Sequence, residues 1–314
     1  MPNIWTHNWF GDKVAEQSKL HTSLPDITLR NIFHLGCQGP DFLFYHRFFP
    51  WQGSSDMNKL GSRMHSECCG PILLAMVETL KELQAKPNDP LTHYVFGFMM
   101  HHVLDRNMHP FVFCKSGSIK WNHQRFEVIM DTLVMKKVQD IDTWASPAWK
   151  QIYIGPQLPS PIPTMMGRIT ETYFPELNKS ITTTDWNTAY MDMIRAQRIF
   201  HDPYGIKRVL TFGQIEPLVY KRRNKQLDYL NEARAEWRHP AVPEEVSKAS
   251  FWDLWDQAMV DGLKVWLAAE QYLFGEVKPF SYDNLVQAIG NLSYEHGKTC
   301  DSGLGIIHEE PIWT

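Results

Sequence analysis

"FMMHHVLDRNMHPF", residues 98–111, sets three histidines and an aspartate within nine positions among apolar neighbours. The segment reads as the C-terminal part of a helix that starts near Pro90, a good first-turn residue, and runs to His109, with Pro110 marking its exit. Residues four apart on a helix lie one above the other, so His101, Asp105 and His109 form one stripe. A second helix, expected from about Trp121 to Gln139, repeats the step with His123, Glu127 and Asp131. Side by side, the two helices can offer six nitrogen and oxygen ligands to one crevice. Their apolar flanks bury these groups, and buried polar groups need partners. Zinc and similar ions take imidazole nitrogen and carboxylate oxygen at about 2.0–2.2 Å, which rigid four-residue spacing suits. His102 points away from the stripe and reads as a core residue or a support for the ligands.

The rest of the chain continues the helical pattern. Apolar residues recur at helical spacing between Met64 and Lys81 (Ile72, Leu73, Met76, Val77, Leu80), and "KPNDP" at 86–90 stops them. Five prolines in 145–165 mark a connector. Beyond it, a helix opens on Ser250 and Asp253 in a capping arrangement and closes on Gly275, and another is expected from Ser281 towards Gly297. His239-Pro240 reads as a helix exit, the tryptophans of 252–266 as a core seam, and "KRRNK" at 221–225 as a solvated helix face. No run alternates as a strand would. The expectation is an all-α fold: one domain over 1–314, a multi-helix bundle with a metal cluster between helices. Its metal-binding core covers about 1–145, its connector about 145–165. C-terminal helices from about 166 to 314 would buttress that core or cover its mouth.

Composition narrows the class. The chain has 314 residues, 43% apolar and 21% charged, with net charge −4, so no extended nucleic-acid surface is expected. The stretch "MPNIWTHNWFGDK" has no secretory pattern, and no apolar run approaches the roughly 20 residues that span a bilayer. A soluble, cytoplasmic protein without a transmembrane segment is expected. Five cysteines with no CxxC pair argue against a disulfide framework, and Cys68-Cys69 read as two small helix residues. Ten of the fourteen histidines fall in the first 123 residues, which places the chemistry there.

Two more segments supply candidate ligands: Asp41 after a Gly-Pro turn in "HLGCQGPDFLFYH" (34–46), and His65 in "LGSRMHSECCG" (60–70). The ordered set, an early histidine, a "GPD" turn, an isolated histidine, then H-x-x-x-D…H and H-x-x-x-E, resembles the zinc-dependent phospholipases C of bacteria and the single-strand nucleases that share their all-helical fold. The resemblance covers roughly residues 1–140. It implies a zinc site of two or three ions, other divalent transition metals being possible. Asp41, His65, His101 and Asp105 would hold one ion; His109, His123 and Glu127 a second. His7 and Asp105 would hold a third with the chain's own N-terminal amine and carbonyl, so that Asp105 bridges two ions. Here the sequence departs from the family, in which a processed tryptophan is terminal: Trp5 is internal, and His109 follows Asp105 two residues sooner. Trimming of Met1 would leave the amine of Pro2 near His7.

Such a site implies metal-dependent hydrolysis of a phosphodiester or phosphomonoester, with Asp41 orienting water or accepting its proton. The partner is then a small phosphate ester or a phospholipid-like molecule. Phe42, Phe44, Tyr45, Phe48, Phe49 and Trp51 could line a pocket for a choline-like head group or a nucleobase, or be core. A cytoplasmic setting argues against bulk phospholipid. The alternatives are an HD-type metal phosphohydrolase, which lacks its His-Asp dipeptide in 98–111, and a non-catalytic helical protein with structural metals; His201-Asp202 precedes a proline and looks like a turn.

Overall fold

In the computed structural model, residues 3–18, 26–276 and 279–313 are described. The helices are α1 (Ile4–Ser18), α2 (Ile27–Gly36), α3 (Asp56–Ser66), α4 (Cys69–Glu82), α5 (Pro90–Ser116), α6 (Asn122–Gln139), α7 (Pro161–Tyr173), α8 (Pro175–Asn178), α9 (Thr183–Phe200), α10 (Ile206–Leu210), α11 (Phe251–Phe274) and α12 (Ser281–Ile289). One antiparallel hairpin, β1 (Trp237–His239) with β2 (Val242–Ser247), is the sheet among the described residues. The fold is all-α, as expected. No helix among the described residues is long and apolar enough to cross a membrane.

α5 is the axis of the molecule. Apolar residues lie all round it beside the stripe of His101, Asp105 and His109, and it is buried almost throughout, packing against α1, α2, α4, α6 and α11. Its approach to α2 is backbone to backbone. A Cβ on Gly97 would stand 2.2 Å from the Phe33 carbonyl oxygen, and one on Gly36 2.2 Å from that of Tyr94. This pair of glycines brings the end of α2, and the turn after it, over the His101 side of α5.

Four expectations are corrected. Pro110 does not end α5, which runs on to Ser116 and stops at Gly117, where φ is +70°. Proline lacks the N–H that would bond the Arg106 carbonyl, and packing on all sides holds the helix together across that missing bond. The periodic stretch 64–81 is two helices, broken at Glu67 and Cys68; Cys68 sits at φ +53° and is not a helix residue. Just after the break, Gly70 of α4 abuts the Gly290 carbonyl, 2.1 Å from where its Cβ would be. The last helix stops at Ile289, not Gly297, and residues 290–299 form a loop closed by a Leu292–Thr299 bridge. In the C-terminal half, His239 lies in β1 instead of at a helix exit, and 221–225 is not helical. β1 has three residues, too few to show alternation, and the six of β2, VPEEVS, do not alternate.

The capped helix at Ser250 is as read: its hydroxyl and the Asp253 carboxylate form a reciprocal capping box. Trp255 and Trp266 are buried, as a core seam requires.

Candidate metal centre

The stripe on α5 meets residues from four other segments. His7 comes from the second turn of α1. The first turn of that helix is anchored by Asp131 of α6, whose carboxylate accepts from the Trp5 N–H (3.0 Å) and the Thr6 N–H (3.1 Å). These are donors that a helix leaves unpaired at its start. The Tyr220 hydroxyl donates to the same carboxylate at 2.7 Å. Asp131, third in the α6 stripe, is thus an anchor with its oxygens engaged, and the expected sixth ligand of the two helices is not one. Asp41 sits in the 3₁₀ turn Gly39–Tyr45, which begins at φ +49°. A Cβ on Gly39 would lie 2.0 Å from the His101 ring, so only glycine lets the turn pass that imidazole.

Second-layer hydrogen bonds set the histidine tautomers. His101 Nδ1 lies 3.0 Å from the Cys37 carbonyl oxygen, His65 Nδ1 2.7 Å from that of Gly61, and His109 Nδ1 2.7 Å from that of Tyr294. A carbonyl only accepts, so each Nδ1 carries the proton and each Nε2 presents a bare lone pair when the ring is neutral. Metal-binding histidines are held in this way.

Those lone pairs converge. His101 Nε2 is 3.2 Å from Asp105 Oδ2, and His7 Nε2 is 3.2 Å from Asp105 Oδ1. His65 Nε2 is 3.0 Å, and His101 Nε2 4.0 Å, from Asp41 Oδ1. His123 Nε2 is 2.6 Å from Glu127 Oε1. Three donor groups result, each with its ligand atoms within 4.8 Å of one another: His7, His101 and Asp105; Asp41, His65 and His101; His109, His123 and Glu127. All eight expected ligands fall in these groups. His101 is shared by two of them, a position that the resemblance gave to Asp105. The amine of Pro2 lies outside the described residues.

The buried atoms fit a cation. Both nitrogens of His7, both oxygens of Asp105, and Nε2 of His101 and His109 are buried with no hydrogen-bond partner among the described residues. Leaving such groups unmet costs about 1–3 kcal/mol each, more for a charged one. Burial pushes His7, His101 and His109 well below the usual imidazole range, which keeps them neutral. Burial, then the Asp41 charge, pushes Asp105 well above the carboxylate range. A lone pair facing a carboxylate oxygen at 3.0 Å, as between His65 and Asp41, needs a proton or a metal ion between them. Burial lowers the His65 pKa, and the Asp41 carboxylate more than offsets this.

The groups differ in access. Asp105 is wholly buried, whereas the Asp41 side chain is 25% exposed and that of His123 20%. Solvent therefore reaches the cluster past Asp41 and His123. Phe44 leans on His65 at 5.2 Å, and the Tyr45 hydroxyl accepts from Gln197 at 3.0 Å, while Phe42 is core.

His102 stands aside, with Nε2 2.7 Å from the Leu292 carbonyl oxygen; burial pushes its pKa down to about 3. Asp202 of the His-Asp pair accepts from the N–H groups of Lys207 and Arg208, which makes it a turn residue, as read. The sequence reading missed the loop 290–299. Its Tyr294 carbonyl orients His109, the Tyr294 N–H bonds the His65 carbonyl at 2.9 Å, and its ring packs on His65 and His101. The signal was the pair Gly290 and Gly297 bracketing it, both at φ +65°.

No protein-family model, no curated protein and no solved structure matches this chain.

Proposed function

We propose that the chain is a metal-dependent phosphoric ester hydrolase whose cluster holds two or three divalent ions, zinc being the best fit to five imidazoles and three carboxylates. The observation that carries this is the set of buried ring nitrogens and carboxylate oxygens around Asp105 that have no hydrogen-bond partner among the described residues. His101 would serve two of the ions, with His7 and Asp105 on the inner side and Asp41 and His65 on the outer; His109, His123 and Glu127 would hold the remaining one. Bound there, the ions would supply Lewis acidity to a phosphoryl oxygen and acidify a water.

The chain's own residues supply the rest. Cys37, Gly61 and Tyr294 hold three imidazoles with Nε2 forward, so these three rings need not reorient on binding. Asp41, the most exposed of the three carboxylates, accepts the proton of the attacking water. The ester approaches past Asp41 and His123. The likeness of the motif order to zinc-dependent phospholipases C supports the same reading.

Elemental analysis tests it. His101→Ala is expected to lose metal from two groups, and His123→Ala from one. Asp41→Asn is expected to keep its metal while turnover of bis(p-nitrophenyl) phosphate or p-nitrophenyl phosphate falls about 10²–10⁴-fold. A metal-free native chain would defeat the proposal. Bound metal with no turnover of either ester would make the ions structural.

A further inference from the structure

A second surface, separate from the metal ligands, stands out by its exposure. Tyr204, Ile206, Val209, Leu210 and Phe212 fall within nine residues and are each between 60% and 94% exposed. Ile206, Val209 and Leu210 share one face of α10, a helix with no buried residue. Single apolar residues on a surface are ordinary, but a cluster marks an interaction site.

The segment is not a frayed loop. The Asp202 carboxylate accepts from the N–H groups of Lys207 and Arg208, both at 3.0 Å. Lys207 Nζ donates to the Arg198 and His201 carbonyls at 2.7 and 2.8 Å. These bonds fix the backbone and leave the apolar face outward.

Its charge identifies the partner. Residues 203–225 carry six lysines and arginines against one acid, Glu216, within a chain of net charge −4. Lys221 pairs with Glu216, whereas Arg223 and Lys225 stand exposed. A two-fold dimer through this face would set the basic surface against itself, which argues against a second copy. An exposed apolar cluster on a segment that also carries exposed cations matches a bilayer with anionic head groups. An aromatic tip adjoins them: Trp51, 78% exposed, stacks on Phe49 at 4.7 Å, and Phe49 on Phe48 at 4.3 Å. Phe48, Ile215 and Leu218 pack on one small core of Ala196, Phe200 and Val219, so the tip and the apolar segment flank the same corner. Tyr45, at the end of the turn that carries Asp41, packs there too. Tryptophan suits the head-group layer.

We infer that residues 204–225, with Trp51, form a peripheral docking surface for an anionic phospholipid bilayer, beside the open side of the metal centre. Docking involves no metal ligand and stands apart from the hydrolase reading.

Flotation of the full chain with phosphatidylcholine vesicles, with and without phosphatidylserine, tests it. Capture is expected only with phosphatidylserine and should weaken as salt rises. Val209→Glu with Phe212→Glu is expected to abolish capture, and each of Arg223→Ala and Lys225→Ala to weaken it about fivefold. Circular dichroism, metal content and turnover of a soluble ester should stay at wild-type levels in all of them. Failure of the native chain to float with phosphatidylserine vesicles would overturn the inference, as would unchanged capture of the Glu variant. A dimer by light scattering that Phe212→Glu splits, with no vesicle capture, would overturn it in favour of a subunit interface.

Discussion

Asp131 lies one helical turn beyond Glu127 on α6, yet its oxygens are filled by two backbone N–H groups of α1 and the Tyr220 hydroxyl. Spacing put it in the ligand stripe; the neighbours it meets made it a helix anchor. Burial raises its pKa from 3.8 to about 6 despite these hydrogen bonds, which pull the other way. The folded chain therefore holds a proton in that range that the unfolded chain has released. The resulting stability is fully present below about pH 4, declines as pH rises through about 6, and is flat above. Two pKa units correspond to about 3 kcal/mol at most. Urea melts of native chain and Asp131→Asn across pH 4–8 should differ by this slope, since the ligands titrate alike in both. Parallel curves would mean that Asp131 ionises normally. The same scale governs the histidines. Four-residue spacing marks His101 and His109 as one face, but which ring nitrogen is free depends on the carbonyls of Cys37 and Tyr294, 64 and 185 residues away.

Among the elements, α5, α6 and α11 follow from periodicity and caps, because an amphipathic or fully apolar run carries its own signal. The errors fall where another element intrudes. α4 meets the Gly290 backbone at Gly70, just after the break from α3, and α5 continues past Pro110 within the helices packed around it. The loop 290–299 belongs with these. Gly297, at φ +65°, lies so near α5 that a Cβ would stand 2.4 Å from the Arg106 carbonyl oxygen. The Arg106 guanidinium in turn donates to the Ile289 carbonyl at 2.7 Å. Gly297→Ala is expected to destabilise the chain by about 1–3 kcal/mol. It should also reduce metal content, because Tyr294 would no longer hold His109. A variant with native melting and full metal would show that the loop does not position the site.

Across the whole molecule, the metal centre is where α1, α3, α5, α6 and the 39–45 turn converge, and α11 packs behind α1 and α5. Ions bound there would tie together segments from residue 7 to residue 127. Because the unfolded chain lacks the site, bound metal adds about 4 kcal/mol per ion at a thousandfold excess over Kd. Chelation is therefore expected to lower the melting temperature by several degrees, with recovery on adding zinc. An unchanged melting temperature would mean that the buried lone pairs are met in some other way.

The sequence by itself determined the helical class and the two metal-spaced stripes, because helix periodicity is local; His7, Asp41 and His65 joined the candidate ligands only through the likeness of the motif order to a known family. Tertiary structure alone decided that Asp131 is an anchor and that His101 is shared between two groups. It also decided that a loop 185 residues downstream orients His109 of α5. Those outcomes depend on which backbone groups arrive from distant segments to meet a buried polar atom, and no pattern within one helix encodes that.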